Sequence, residues 1–220
     1  LRGQLTAANK KMGKFAALKD DELALTLRII TKQGCENIIR SAFEYAKKDG
    51  RKNVTVCEKP NVLRETSGLF LRTARRIAKE YPELELWETN VDAQCMWLVK
   101  SPQQYGVIVT SNLFGDILSD LAAQLVGGLG FAASASTGSN YAVFEPTHGS
   151  APKYAGKDVA NPMAMIMTCK LMLEWLGEAE KAERLEKAIA AVLAEGATRT
   201  RDMGGSASTK AMTEAILAKL

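Results

Sequence analysis

Apolar residues in this 220-residue chain recur at helical spacing in some segments and in short runs or alternation in others. In ENIIRSAFEYAKK (36–48), Ile38, Ile39, Ala42, Phe43 and Ala46 share one side, which predicts a helix that Gly50 stops. NVTVC (53–57) predicts a short strand. Ser67 to Glu80 predicts a helix, ended by Tyr81-Pro82. LELWET (84–89) alternates as a strand does, Asp92 to Val99 predicts a short helix, and YGVIVT (105–110) is an apolar run of buried-strand type. Gly115 to Val126 is amphipathic at helical period and ends at Gly127-Gly128. YAVFE (141–145) predicts a strand. Helices are expected from Pro162 to Leu176, from Glu178 to Glu195 and from Thr209 to Leu220. Asp20 and Asp21 before ELALTLRII predict one more helix start, with acids at the positive end of the dipole. Residues 1–19 have no clear period.

Strands alternating with helices point to an α/β fold. Ser101-Pro102, just before the buried strand, suggests a boundary near residue 100. Segments 127–140 and 145–161 are long and rich in Gly, Ser and Ala, and loops of that length in compact domains are often functional.

Composition narrows the classes. With 46% hydrophobic and 25% charged residues the chain is neither disordered nor fibrous. No apolar run approaches the ~20 residues that span a bilayer, and no signal-peptide core is visible, so a membrane role is not expected. The net charge of +4 is concentrated at the start, where Arg2, Lys10, Lys11, Lys14 and Lys19 meet no acid. The remainder is close to neutral, which argues against nucleic-acid binding. Cys35, Cys57, Cys95 and Cys169 are scattered, with no CxxC pair, and His148 is the single histidine. That pattern argues against a zinc site and suits a reducing, cytoplasmic compartment.

Three segments carry candidate chemistry. In NLFGDILSD (112–120), directly after the buried strand, Asp116 and Asp120 are i,i+4 and point from one helix face. Two like charges so placed repel unless a divalent cation such as Mg²⁺ or Mn²⁺ sits between them. The plainer alternative is one capping and one solvated carboxylate. In EPTHGSAPKYAG (145–156), small residues let backbone approach a ligand, and backbone N–H groups with Lys153 would cradle a phosphate. The alternative is an ordinary surface loop. No GxGxxG follows a strand, so a Rossmann-type site is not indicated. Lys59, just past strand 53–57 and held extended by Pro60, is either a surface charge or a proton-transfer group. Asp92 by itself reads as a helix N-cap.

Taken in order, NLFGDILSD (112–120), GGLG (127–130), EPTHGSAPKYAG (145–156) and NP (161–162) resemble the metal-dependent β-decarboxylating dehydrogenases, the isocitrate, isopropylmalate and homoisocitrate dehydrogenase family. The resemblance runs from about Leu23 to Leu220. It implies an isocitrate/isopropylmalate dehydrogenase-like α/β fold. Residues 1–100 would form a portion of the small, dimer-forming domain, and 101–220 the C-terminal part of the large, cofactor-binding domain. It implies a homodimer with shared active sites. Asp116 and Asp120 would ligate Mg²⁺ or Mn²⁺ from one protomer and Asp92 from its neighbour. Lys59 would be the catalytic lysine, also reaching across, with Asn61 near the nicotinamide. His148, Gly149, Ser150, Ala151, Pro152, Lys153 and Tyr154 would surround the cofactor's adenosine, with Asn161 beside the adenine.

The implied reaction oxidises a 2-hydroxy-tricarboxylate at its hydroxyl and releases CO₂. LAAQLVGGLGF (121–131) looks closer to the isocitrate branch, a tricarboxylic acid cycle activity yielding 2-oxoglutarate. Lys153-Tyr154 replaces the acid and aliphatic residue common in NAD-using relatives, which favours NADP, with Arg201 as a second positive contact. Ala160 and RTRDMGG (199–205) look closer to NAD-using branches, so NAD stays open. The sequence also departs from the family. The substrate-binding arginines and a tyrosine upstream of residue 20 have no counterpart, and Pro60 is unusual. A fragment, a shortened relative and a non-catalytic subunit that keeps the fold are the readings this leaves.

Overall fold

Strand β1 (Asn53–Glu58) is buried at all six residues, and the first half of the fold is organised around it. The computed structural model describes residues 2–19 and 21–220; Asp20, half of the acidic pair expected to start a helix, lies outside them. Two units separate along the chain. One runs to Asn90 and takes in Tyr105–Val109; the other comprises Val91–Gln104 and Thr110–Leu220.

In the first unit β1 is the middle of a three-stranded sheet. Strand β2 (Glu85–Asn90) pairs parallel to it, from Asn53 opposite Glu85 to Glu58 opposite Asn90. Strand β3 (Val107–Thr110) lies on the other side. Helices α2 (Lys32–Lys48) and α3 (Arg64–Ala78) pack together, and the core joins Val54, Val56 and Val109 to Cys35, Ile39, Phe43, Phe70, Ala74 and Ile77. The rings of Phe43 and Tyr81 stack at 5.0 Å. Thr31 caps α2, its hydroxyl accepting from the Gly34 N–H. Gly50, at φ 64°, follows the end of α2, a left-handed turn glycine makes at no steric cost.

One expectation for this half is corrected. ELALTLRII (22–30) is not a helix: residues 23–31 carry no regular secondary structure. Its leucines recur every second position, and its β-branched residues favour extended backbone. Ile30 packs on the core, while Leu25, Leu27 and Ile29 are exposed. The leading segment, without visible period, forms helix α1 (Arg2–Ala8) and a 3-10 turn over Lys10–Phe15, capped by the Asn9 side chain.

The second unit contains helices α4 (Val91–Lys100) and α5 (Asn112–Leu125), which pack on each other. An antiparallel pair follows, β4 (Ala133–Thr137) and β5 (Ala142–Pro146). Strand β4 lies inside a stretch expected to be loop; ASAST offers no large apolar residue to betray it. Helices α6 (Met163–Trp175), α7 (Ala179–Glu195) and α8 (Thr209–Leu217) complete the unit. Their core is Met163, Leu185, Ala188, Ile189, Val192, Met212 and Ile216. Among the described residues no helix is long and apolar enough to cross a membrane.

Candidate functional site

Helix α5 starts two residues after β3. It buries Phe114, Leu118 and Ala123, so positions two residues off that stripe face outward. Asp116 and Asp120 are such positions. Both are exposed, and neither carboxylate has a hydrogen-bond or ion-pair partner among the described residues. Two oxygen donors one helical turn apart, with no cation of the protein's own beside them, fit a hard divalent metal. They are not enough for it. Among the described residues no three His, Cys, Asp or Glu side chains come together to hold a metal within one chain. Asp92 is exposed in the first turn of α4, inside the helix rather than at its cap, where its charge opposes the positive dipole end. α4 and α5 also leave Met96, Val99, Leu113, Ile117 and Leu125 exposed.

Lys59 sits in the other unit, one residue beyond β1, and is half-buried. Its carbonyl accepts from the N–H groups of Val62 (3.1 Å) and Leu63 (2.8 Å), folding Lys59–Leu63 into a tight turn ahead of α3. Pro60 fits this turn, since the fold asks no N–H bond of it. Asn61 lies exposed on the turn.

The loop after β5 is exposed from Gly149 to Asp158. His148 Nδ1 lies 2.9 Å from the Gly149 carbonyl oxygen, which accepts if that nitrogen carries the proton. Ala151 has φ 42°, a left-handed conformation that costs a non-glycine residue energy and is common at ligand-holding turns. A 3-10 turn over Pro152–Tyr154 then sets the Lys153 ammonium 5.0 Å from the centre of the Tyr154 ring. The pair presents a cation and a phenol hydroxyl on one small exposed surface.

Asn161 is engaged at both ends of its amide. Its oxygen accepts from the Met163 N–H, and its nitrogen donates to Asp202 at 2.9 Å. Asp202 in turn accepts from the Thr200 hydroxyl at 2.5 Å. Gly130 closes this network: a Cβ there would lie 2.5 Å from an Asp202 oxygen. The sequence reading missed Asp202, although it stands beside Arg201 in RTRDMGG and a polar residue ahead of Gly-Gly was the available signal. A concavity of about 470 Å³ is lined by Lys157, Asp158, Val159, Arg201 and Gly205–Ser208. It takes in Arg201 but not His148–Tyr154.

The isocitrate/isopropylmalate dehydrogenase family model matches residues 3–216. A 3-isopropylmalate dehydrogenase of Archaeoglobus fulgidus is 50% identical over 183 residues, which cover 83% of this chain and 56% of that protein. A mitochondrial regulatory subunit of an NAD isocitrate dehydrogenase from Dictyostelium discoideum is 49% identical over 193 residues, 87% of this chain and 53% of its own length. The crystal structure of isocitrate dehydrogenase from Methylococcus capsulatus superposes with a TM-score of 0.86 at 48% identity, over 92% of this chain and 61% of that one. The chain thus spans somewhat more than half the length of the relatives it matches.

Proposed function

Because the chain belongs to the isocitrate/isopropylmalate dehydrogenase family, we propose that it carries out, or forms the C-terminal part of a protein that carries out, metal-dependent oxidative decarboxylation of isocitrate to 2-oxoglutarate. The observation that carries this reading is the outward-facing, unpartnered pair Asp116 and Asp120 on α5. Asp116 and Asp120 of one copy and Asp92 of a second would hold Mg²⁺ or Mn²⁺. When bound, the cation supplies Lewis-acid polarisation of the substrate hydroxyl and of the developing enolate, and the nicotinamide supplies the hydride acceptor. Lys59 of the second copy takes the proton from the substrate hydroxyl, directly or through water. Asn61 borders the nicotinamide end, and the 148–154 loop with Asn161 receives the adenosine. Asp116→Asn should weaken Mg²⁺ or Mn²⁺ binding by more than about tenfold; unchanged binding in a metal titration refutes the site.

The cofactor preference we propose is NADP over NAD. Lys153 and the Tyr154 hydroxyl pair with a ribose 2′-phosphate by charge and hydrogen bond, and Arg201 adds a positive contact. Comparative binding of NADP⁺ and NAD⁺ to the wild type and to Lys153→Asp tests this. Tighter NAD⁺ binding by the wild type, or an unmoved preference in the variant, refutes it.

The sharing of ligands implies a homodimer, and the exposed apolar faces of α4 and α5 support one. A cytoplasmic location rests on the four free cysteines.

Two other readings each have an observation behind them. The 50% identity to a 3-isopropylmalate dehydrogenase favours a substrate with an alkyl group in place of one carboxylate. The likeness to a regulatory subunit favours a non-catalytic partner. Turnover of purified chain with isocitrate or 3-isopropylmalate, metal and cofactor separates the three.

A further inference from the structure

Glu58 is the last residue of β1, and its carboxylate is fully buried. Taking a carboxylate out of water is costly unless partners replace the water, so its surroundings show what holds it there. The Ser67 hydroxyl, in the first turns of α3, donates to one oxygen at 2.5 Å. The Arg28 guanidinium, from extended segment 23–31, lies 3.6 Å from the other. Cys35 of α2 is close enough that its thiol, pushed up first by burial, is pushed further by the Glu58 charge.

The placement of this clamp is specific. Between Glu58 and Ser67 the chain makes the turn that begins with Lys59, and the Glu58–Ser67 bond ties the two ends of that turn together. On one side the backbone of Glu58 is fixed by its pairing opposite Asn90. On the other, the Lys59 carbonyl is fixed by Val62 and Leu63. Strand alternation puts Glu58 on the face of Val54 and Val56, toward α2 and α3. A carboxylate anchored to the helices therefore sets the direction in which Lys59 leaves the strand. An apolar residue would fill the same buried position without desolvation cost, and would not tie the turn.

We propose that Glu58 is a positioning residue for Lys59, acting through the hydrogen bond from Ser67 and the charge of Arg28. The proposal rests on Lys59 being the proton-transfer group, and its test is kept separate from that reading. In the full chain, the rate of Lys59 acylation by acetic anhydride is followed against pH by mass spectrometry, with exposed Lys48 and Lys187 as internal references. The variants are Ser67→Ala, Ser67→Thr and Glu58→Gln. Ser67→Ala is expected to change the Lys59 rate severalfold relative to the references and to shift its pH profile, and Ser67→Thr to restore both. Glu58→Gln keeps an acceptor for Ser67 but loses the charge, and is expected to fall between. A Ser67→Ala chain that is folded by circular dichroism and leaves the relative Lys59 rate and profile unchanged overturns the proposal. Where turnover is measurable, Ser67→Ala should lower kcat by about tenfold or more with KM little changed. Full turnover in Lys59→Ala would instead remove the proton-transfer reading, whatever the acylation shows about the clamp.

Discussion

Single residues decide more here than their exposure suggests. Gly130 is not in a left-handed conformation, so its need for glycine is one of space: Asp202 and Asn161 crowd where a Cβ would go. Asp202 cannot swing away without giving up Thr200 and Asn161. Gly130→Ala should cost about 1–3 kcal/mol in urea unfolding and, by breaking the Asn161–Asp202 bond, weaken NADP⁺ binding as well. Tyr81 is the second case. Its hydroxyl donates to Glu44, and that bond, followed by burial, raises the phenol above its ordinary value. The folded state thus holds a proton that the unfolded chain releases near pH 10. The stabilisation is complete below that pH and declines as pH rises through the raised value. Tyr81→Phe should lose about 1 kcal/mol at neutral pH and show a flatter alkaline limb in urea melts. The remaining alkaline slope would come from Cys35 and Lys170, both shifted in the same direction.

At the scale of elements, strength of periodicity governed what could be read. α2 and β1 were legible because their apolar residues fall at one unmistakable spacing, and α5 because its stripe ends at Gly127-Gly128. Segment 22–30 misled through its two leading acids; a local dipole signal was outweighed by alternating leucines and β-branched residues. Strand β4 was invisible because Ala and Ser carry almost no hydrophobic pattern, and its pairing with β5 comes from the antiparallel register. The candidate site divides in the same way between what local pattern marks and what it does not. Lys59 stands just past the end of β1, and Asp116 and Asp120 one turn apart on the outward face of α5, where motif and spacing agree. Glu58 and Asp202 act through bonds to residues 9 and 41 positions away, which no local spacing announces. One cap offers a clean test. Thr31→Ala removes the acceptor for Gly34 and should destabilise the chain by about 1 kcal/mol. Thr31→Asp keeps the acceptor and adds a charge to a first turn that has no acid, so its melting midpoint should equal or exceed the wild type's.

For the whole molecule, the exposed apolar faces of α4 and α5 predict association. Val99 is 64% exposed and Met96 55%, in a family whose proposed ligand set needs two copies. Val99→Glu should shift sedimentation at micromolar concentration from dimer to monomer without changing the circular dichroism spectrum. A wild-type chain that sediments as a monomer would count against the shared site.

The β4–β5 pair has a further consequence. A two-stranded sheet consists of edges, and Tyr141 and Val143 stand exposed on and beside β5. Unpaired strand edges template one another, and only electrostatic repulsion opposes them when no charged gatekeeper lies on the strand face. Strand β4, ASAST, carries no charge at all, and Glu145 is the single charged residue on β5. With an isoelectric point of about 8.8, the chain loses its net repulsion in mildly alkaline buffer, and there its colloidal stability should be lowest: turbidity will rise first at that pH and recede as the solution is made more acidic.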